Sequence, residues 1–265
     1  MQGGETSCKN EPRALPRPSV IALLEPIFRG ELAPLGERLV CTRDLPPDAL
    51  RVADLASSTE MLAGVLHRHA KFRRVEDNDL RAVASAWSLA YLSVLLPPVV
   101  AAASVLQHGF PVAASQMWVQ FDGRGAPSHF HIRELGAPLH GTDTAQRYAP
   151  LLWHHLAPLF EAVAGLTRLA PKILWGNVAR VLEPILDQAV ALTGGAAPIT
   201  QDRAHLLQSA AWPQAATNPL HGRQREVVQW RGGRQVPTKL HRQCCLNHLL
   251  PDEAACSACP LALPR

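Results

Sequence analysis

An uncharged run of 25 residues, Ala82 to Leu106 (AVASAWSLAYLSVLLPPVVAAASVL), must either be buried by the rest of the chain or cross a membrane. Pro97-Pro98 falls inside it, and proline removes a backbone donor and clashes with the preceding turn. The pair predicts a break that leaves two helical pieces, each too short to span a bilayer. The frequent alanines and serines suit close packing between soluble helices. The expectation is therefore a broken, buried core helix. The 265-residue chain can supply that core, because 47% of its residues are hydrophobic and 18% are charged. Such a balance excludes wholesale disorder and fits one large domain or two small ones. The 23 prolines predict many interrupted helices rather than long rods. A net charge of +4 is compatible with an anionic ligand or a lipid surface, and too weak to argue for nucleic acid.

Periodicity outlines the remaining elements. Residues 1–18 read as a disordered tail. A short helix is expected near Ser19 to Phe28, with Val20, Leu23, Leu24 and Ile27 on one face. Residues 29–54 read as turn-rich surface chain. Ser57 or Ser58 is placed to cap a helix running to about Ala70, and Asp77 or Asn78 to open the long apolar segment. SQMWVQFDGRGAPSHFHI alternates on both sides of Gly-Arg-Gly, which predicts a β-hairpin near 116–132. Gly123-Arg-Gly125 superficially begins a dinucleotide-binding fingerprint, but it lacks the third glycine and reads as a turn. Helices are expected near 142–166, 171–192 and 199–211, with Pro171 as a first helical residue. A second hairpin is predicted near 225–238, around Gly232-Gly233. The fold class that results is α+β, predominantly helical, with small antiparallel elements. The expected division is a helical domain over 19–220, then a basic hairpin and cysteine segment over 221–265.

Four of the six cysteines crowd into the C-terminus, Cys244, Cys245, Cys256 and Cys259, in the spacing C-C-x10-C-x2-C. Cys8 and Cys41 stand alone. The opening residues carry no apolar signal stretch, so the expected compartment is the cytoplasm, where such a cluster reads as a metal site before disulfides. Four thiolates are the complement of a [2Fe–2S] cluster, two for each iron. A four-cysteine structural zinc site in a non-enzymatic helical binding protein is the principal alternative. Adjacent cysteines, however, are poor geometry for a zinc knuckle. Redox-active disulfides are a third reading.

The tail RQCCLNHLLPDEAACSACPL resembles the signature of FhuF-type ferric-siderophore reductases. The matching residues are Arg242, Cys244, Cys245, Leu246, Leu250, Pro251, Cys256, Cys259, Pro260 and Leu261. Leu174-Trp175-Gly176-Asn177 and Asn218-Pro219-Leu220 resemble family stretches more loosely. Asn247-His248 departs from the more apolar or tyrosine-containing pair of the family, which bears on hydrogen bonding around a cluster rather than on its ligation. The resemblance implies a [2Fe–2S] oxidoreductase of the bacterial cytoplasm, with the four cysteines as ligands. It would reduce the iron of imported hydroxamate-type siderophores so that the metal is released. The chemistry is coherent, because hard oxygen chelators hold Fe(III) tightly and Fe(II) weakly. The family's broader relatives include siderophore-synthesising enzymes, for which nucleotide binding would be the mark.

No nicotinamide, flavin or phosphate-loop motif is visible in the sequence, so electrons are expected from a separate one-electron donor. Candidate substrate contacts are His129 and His131, two apart on one strand face, with Trp175 and Asn177. Candidate tuning residues are Arg242, just before the vicinal cysteines, and His248, placed to hydrogen-bond a sulfur. The segment from His221 to Gln243 carries six Lys/Arg against Glu226 alone. Such a charge would stabilise an anionic cluster, and is also compatible with an acidic donor or peripheral association with the inner membrane.

Overall fold

The computed structural model describes residues 20–76, 79–213, 217–231 and 234–261. The expected tail, the expected helix start at Asp77 or Asn78 and the Gly232-Gly233 turn lie outside them. In chain order come α1 (Ala33–Gly36), β1 (Leu39–Cys41), β2 (Leu50–Arg51), α2 (Val52–Ser57), α3 (Thr59–Phe72) and α4 (Arg81–Val100). Next are β3 (His108–Gly109), β4 (Trp118–Phe121), β5 (Pro127–Ile132), β6 (Ala137–Pro138), α5 (Thr144–Leu151) and α6 (Ala157–Thr167). The chain closes with α7 (Pro171–Leu192), α8 (Ala197–Gln208), β7 (Gln224–Arg231) and β8 (Arg234–His241). The architecture is α+β, mainly helical, with a four-stranded sheet of order β1-β5-β4-β2 and two small two-stranded sheets.

The apolar run is the centre of the molecule. α4 packs against α7, α3 and the inner face of β5, and 72% of its most apolar stretch is buried by the protein itself. The expected break at the prolines does not occur. Helix continues through Pro97 and Pro98, both buried, and then relaxes into a π-helical turn, Ala101–Val105, closed by Leu106 N–H to Ala101 C=O at 3.2 Å. Two prolines near a helix end leave few carbonyls without a donor, and core packing on every side outweighs that loss. A second π-turn, Leu152–Leu156, follows Pro150 and joins α5 to α6 as one rod. The start of that rod is fixed by a capping box between Asp143 and Gln146.

Where a helix is expected over 19–28, the described part, residues 20–28, is instead a chain of turns. Of the predicted face only Leu24 is fully buried, joined by Ile21 and Phe28, while Val20, Leu23 and Ile27 are half-buried. Pro26 explains the difference, since it cannot donate within the second turn. Ser58 caps α3 as its sequence predicts, accepting from Met61 N–H. The hairpin β4–β5 is present, with Asp122 Oδ1 accepting from the Arg124 and Ala126 N–H groups across the Gly-Arg-Gly turn. Residues 29–54 hold strands that periodicity does not reveal. β1 is only three residues long and pairs in parallel with β5, Leu39 opposite Phe130.

Candidate metal centre

The cysteine segment begins where β8 ends and folds back on itself. His241 N–H donates to Ala258 C=O at 2.9 Å, which brings the second cysteine pair beside the first. Cys259 N–H donates to Cys256 C=O at 3.0 Å, the tight turn that C-x2-C spacing allows. Between the pairs, Leu246 adopts a left-handed backbone (φ +61°) and leads into one turn of 3-10 helix, Asn247–Leu249. A leucine is strained in that region by about 1 kcal/mol or more. The conformation aims Leu246 N–H at Cys244 Sγ, 3.4 Å away.

The body holds this cap in three ways. Leu250 is buried among Ala70, Ala82, Val83 and Ala86, at the junction of α3 and α4. Arg73 pairs with Glu253 at 2.5 Å and Arg74 with Asp252 at 3.1 Å, while Asn247 also donates to Glu253. Beneath the vicinal cysteines, Ser85 Oγ donates to Cys245 C=O at 2.6 Å, and Arg180 donates to Gln243 C=O at 3.1 Å.

The four predicted ligands come together. Cys245 and Cys259 are buried, Cys244 and Cys256 half-buried, and none is in a disulfide. Neighbouring cysteines stand 4.2–4.3 Å apart. Among the described residues no three His, Cys, Asp or Glu side chains are drawn in as a preformed metal cage. Burial pushes the Cys244 thiol up, with repulsion from Cys259 and Cys245 adding to it and the Leu246 N–H opposing it. Cys256 is pushed up to about 11, first by burial and then by Cys245, while Arg180 pulls it down. The Cys244 and Cys256 thiols are thus held protonated at neutral pH, and a bound cation would displace their protons.

The surroundings fit an anionic four-thiolate group. Arg180 Nε is buried without a hydrogen-bond partner, and the charge of this guanidinium favours the thiolate of Cys256. An N–H is already directed at Cys244 Sγ, and His248 Nδ1 lies 3.5 Å from the same sulfur. Half-exposed Cys244 and Cys256 give the site a solvent edge.

The other candidates separate. Arg242 is exposed and its guanidinium donates to Gln224 C=O, so the cation that acts on the cysteines is Arg180 instead. Asn177, expected at a substrate surface, is only 1% exposed and hydrogen-bonds to Ser85, Ser88 and Arg180. It supports the cysteine segment from below and cannot face an open cleft. Trp175 packs edge-on against Phe160, ring centroids 5.2 Å apart, and tilts against Trp153. His129 and His131 share the face of β5 opposite Phe130, their ring centroids 6.4 Å apart, His129 half-buried and His131 only 3% exposed. Burial lowers both, with Arg38 acting further on His129 and His129 on His131. Cys41 sits on β1 opposite Ile132, with Glu134 nearby. Ser85, Arg180, Arg73 and Glu253 carry no motif. Their one sequence trace is polar spacing in apolar helices, Ser85 with Ser88 and Asn177 with Arg180, each three apart.

Comparison with known proteins places this geometry in context. A family model described as "Ferric iron reductase FhuF-like transporter" matches residues 85–231, more than half the chain. The match ends before the four cysteines. Among curated proteins none matches. Two solved structures of the aerobactin synthetase IucA from a hypervirulent pathotype of Klebsiella pneumoniae, one of them ATP-bound, share the fold. Both superpose with a TM-score of 0.52, at 15% and 16% identity, over 66% of this chain and 37% and 38% of theirs.

Proposed function

This chain belongs to the FhuF-like ferric iron reductase family, and from that membership we propose that it reduces the iron of ferric siderophores, hydroxamate-type among them, by one-electron transfer. The observation that carries the reading is the convergence of Cys244, Cys245, Cys256 and Cys259 at 4.2–4.3 Å spacing, with the Arg180 charge acting on Cys256. A [2Fe–2S] cluster on these four thiolates would supply single electrons at low potential.

The protein's own residues do the rest. Buried Cys245 and Cys259 keep water from the inner side of the site, and Cys244 and Cys256 present the edge that a substrate or donor approaches. Leu246 N–H and Arg180 stabilise negative charge on the sulfurs. The substrate's Fe(III) gains one electron, its hard oxygen ligands then hold it weakly, and Fe(II) leaves. No covalent bond to carbon breaks, so no general acid or base is required. The electron comes from an external one-electron carrier, and the reaction belongs in the cytoplasm, at or near the inner membrane that imports the substrate. Residues 19–220 form the body in this reading, and 221–265 the basic hairpin with the cluster segment. The likeness to the synthetases is one of fold, and ATP binding is not carried across from it.

Anaerobically purified or reconstituted full-length protein tests the proposal. It should be reddish-brown, absorb between roughly 400 and 600 nm, and hold two irons and two sulfides per chain. After reduction with dithionite and removal of excess reductant, it should release Fe(II) from a ferric hydroxamate to a ferrous-specific chelator. Colourless protein holding one zinc would overturn the reading in favour of a structural site.

A further inference from the structure

The body carries a polar seat for the cysteine segment, and it lies inside the region that matches the family model while the cysteines lie outside it. Ser85 and Ser88 share one face of α4, and Asn177 and Arg180 one face of α7. Asn177 Nδ2 donates to Ser85 C=O, Ser85 Oγ and Ser88 Oγ at 3.2, 3.0 and 2.9 Å. That bond to the Ser85 hydroxyl oxygen leaves its proton for Cys245 C=O, 2.6 Å away. Asn177 Oδ1 in turn accepts from Arg180 Nη1 at 2.8 Å, which aims Nη2 at Gln243 C=O, 3.1 Å away. The carbonyls on either side of Cys244 are thus both held by body side chains.

Two further observations show that the fit is built. A Cβ at Gly176 would stand 3.4 Å from Gln243 Oε1, an ordinary van der Waals contact, so the segment lies directly against this turn of α7. Ser85 is fully buried and Asn177 1% exposed. Cys245 C=O is the acceptor that the buried Ser85 hydroxyl proton finds.

We propose that Arg180, backed by Asn177 and Ser85, is the positioning residue of the metal centre. It seats the Gln243–Cys245 backbone before any metal binds, and sets a fixed cation beside the sulfurs. The second half rests on the reductase reading; the first does not. A neighbouring cation stabilises the more negative, reduced form of a thiolate-bound centre, and so raises its potential.

Hydrogen exchange on the metal-free full chain tests the seat. In Arg180→Gln, amides over 243–246 should exchange at least tenfold faster while those of α4 keep their protection. Ser85→Ala should do the same by removing the donor to the Cys245 carbonyl and the Ser85 acceptor of Asn177, with no change of charge. Arg242→Gln, with its exposed guanidinium elsewhere, should leave these amides unchanged. On metal-loaded protein, Arg180→Gln should shift the midpoint potential downward and Arg180→Lys should largely restore it, which a merely structural role would not do. Unchanged exchange at 243–246 in both Arg180→Gln and Ser85→Ala would overturn the seat. An unchanged potential in Arg180→Gln would overturn the charge role. A colourless, zinc-binding protein with the exchange result intact would sink the reductase reading and leave the seat standing.

Discussion

At the scale of single residues, polar groups buried in the body matter as much as the cysteines. Asp202 has no exposed surface, and its carboxylate accepts from Thr144 at 2.6 Å, Ser104 at 2.7 Å and Arg147, whose side chain is 4% exposed. Ser104 gives its proton to Asp202, so the Tyr148 hydroxyl must donate to Ser104. Asp202→Ala would leave Arg147 buried and uncompensated, at a cost of about 3–5 kcal/mol in urea unfolding. His155 is equally enclosed. Val112 C=O can only accept, so Nδ1 carries the proton and Nε2 accepts from Tyr91. Burial holds this imidazole at about 4 against an ordinary 6.5, so the unfolded chain takes up a proton that the folded chain refuses. Stability present above pH 6.5 should therefore fall as pH drops towards 4, by about 3 kcal/mol from this residue. Unfolding midpoints between pH 7 and 4.5 would show it, with a shallower fall in His155→Gln. Among the cysteines, serine at 244, 245, 256 or 259 should lower bound iron, because a hydroxyl is a poorer ligand than thiolate. Cys41→Ser should leave iron content unchanged, since Cys41 lies on β1, paired with β5 and away from the cap.

At the scale of elements, what the neighbours contribute decides how firmly each one is held. The α5 start depends on its own sequence, because Asp143 and Gln146 satisfy each other's backbone. Asp143→Ala should cost about 1 kcal/mol and lower the melting temperature accordingly. α4 is the opposite case. Its two prolines argue against a helix locally, and burial among α3, α7 and β5 keeps it helical. The β7–β8 hairpin pairs over its whole length, Gln224 with His241 to Arg231 with Arg234, while Val228 is 61% exposed and Val236 37%. A two-stranded ribbon with so little burial is marginal by itself. Hydrogen exchange should open β7 and β8 well before α4, and slowest-exchanging amides in the hairpin would contradict that ordering.

At the scale of the whole molecule, the cysteine cap adds little to the main core. Leu250 anchors a small satellite cluster, whereas the principal core runs from Ile21 to Leu220. Removing metal should therefore leave far-UV circular dichroism essentially unchanged and move only the signals of the cap. Global unfolding on demetallation would show that the cap is integral to the core.

The sequence by itself determined the fold class, the extents of α3 and α7, both hairpins and the four candidate ligands. Each rests on local chemistry: a serine cap, a first-turn proline, alternation about glycines, and thiols close along the chain. Only the tertiary structure decided the rest. The proline pair stays helical because packing outweighs a lost donor. β1 is found only through its partner β5, since three residues carry no readable period. Asn177 turns from surface candidate to buried brace, and the charge of Arg180 rather than that of Arg242 acts on Cys256, because sequence adjacency fixes neither direction nor burial. Residues 85, 180 and 243 are distant in the chain and meet only when α4, α7 and the last segment pack together.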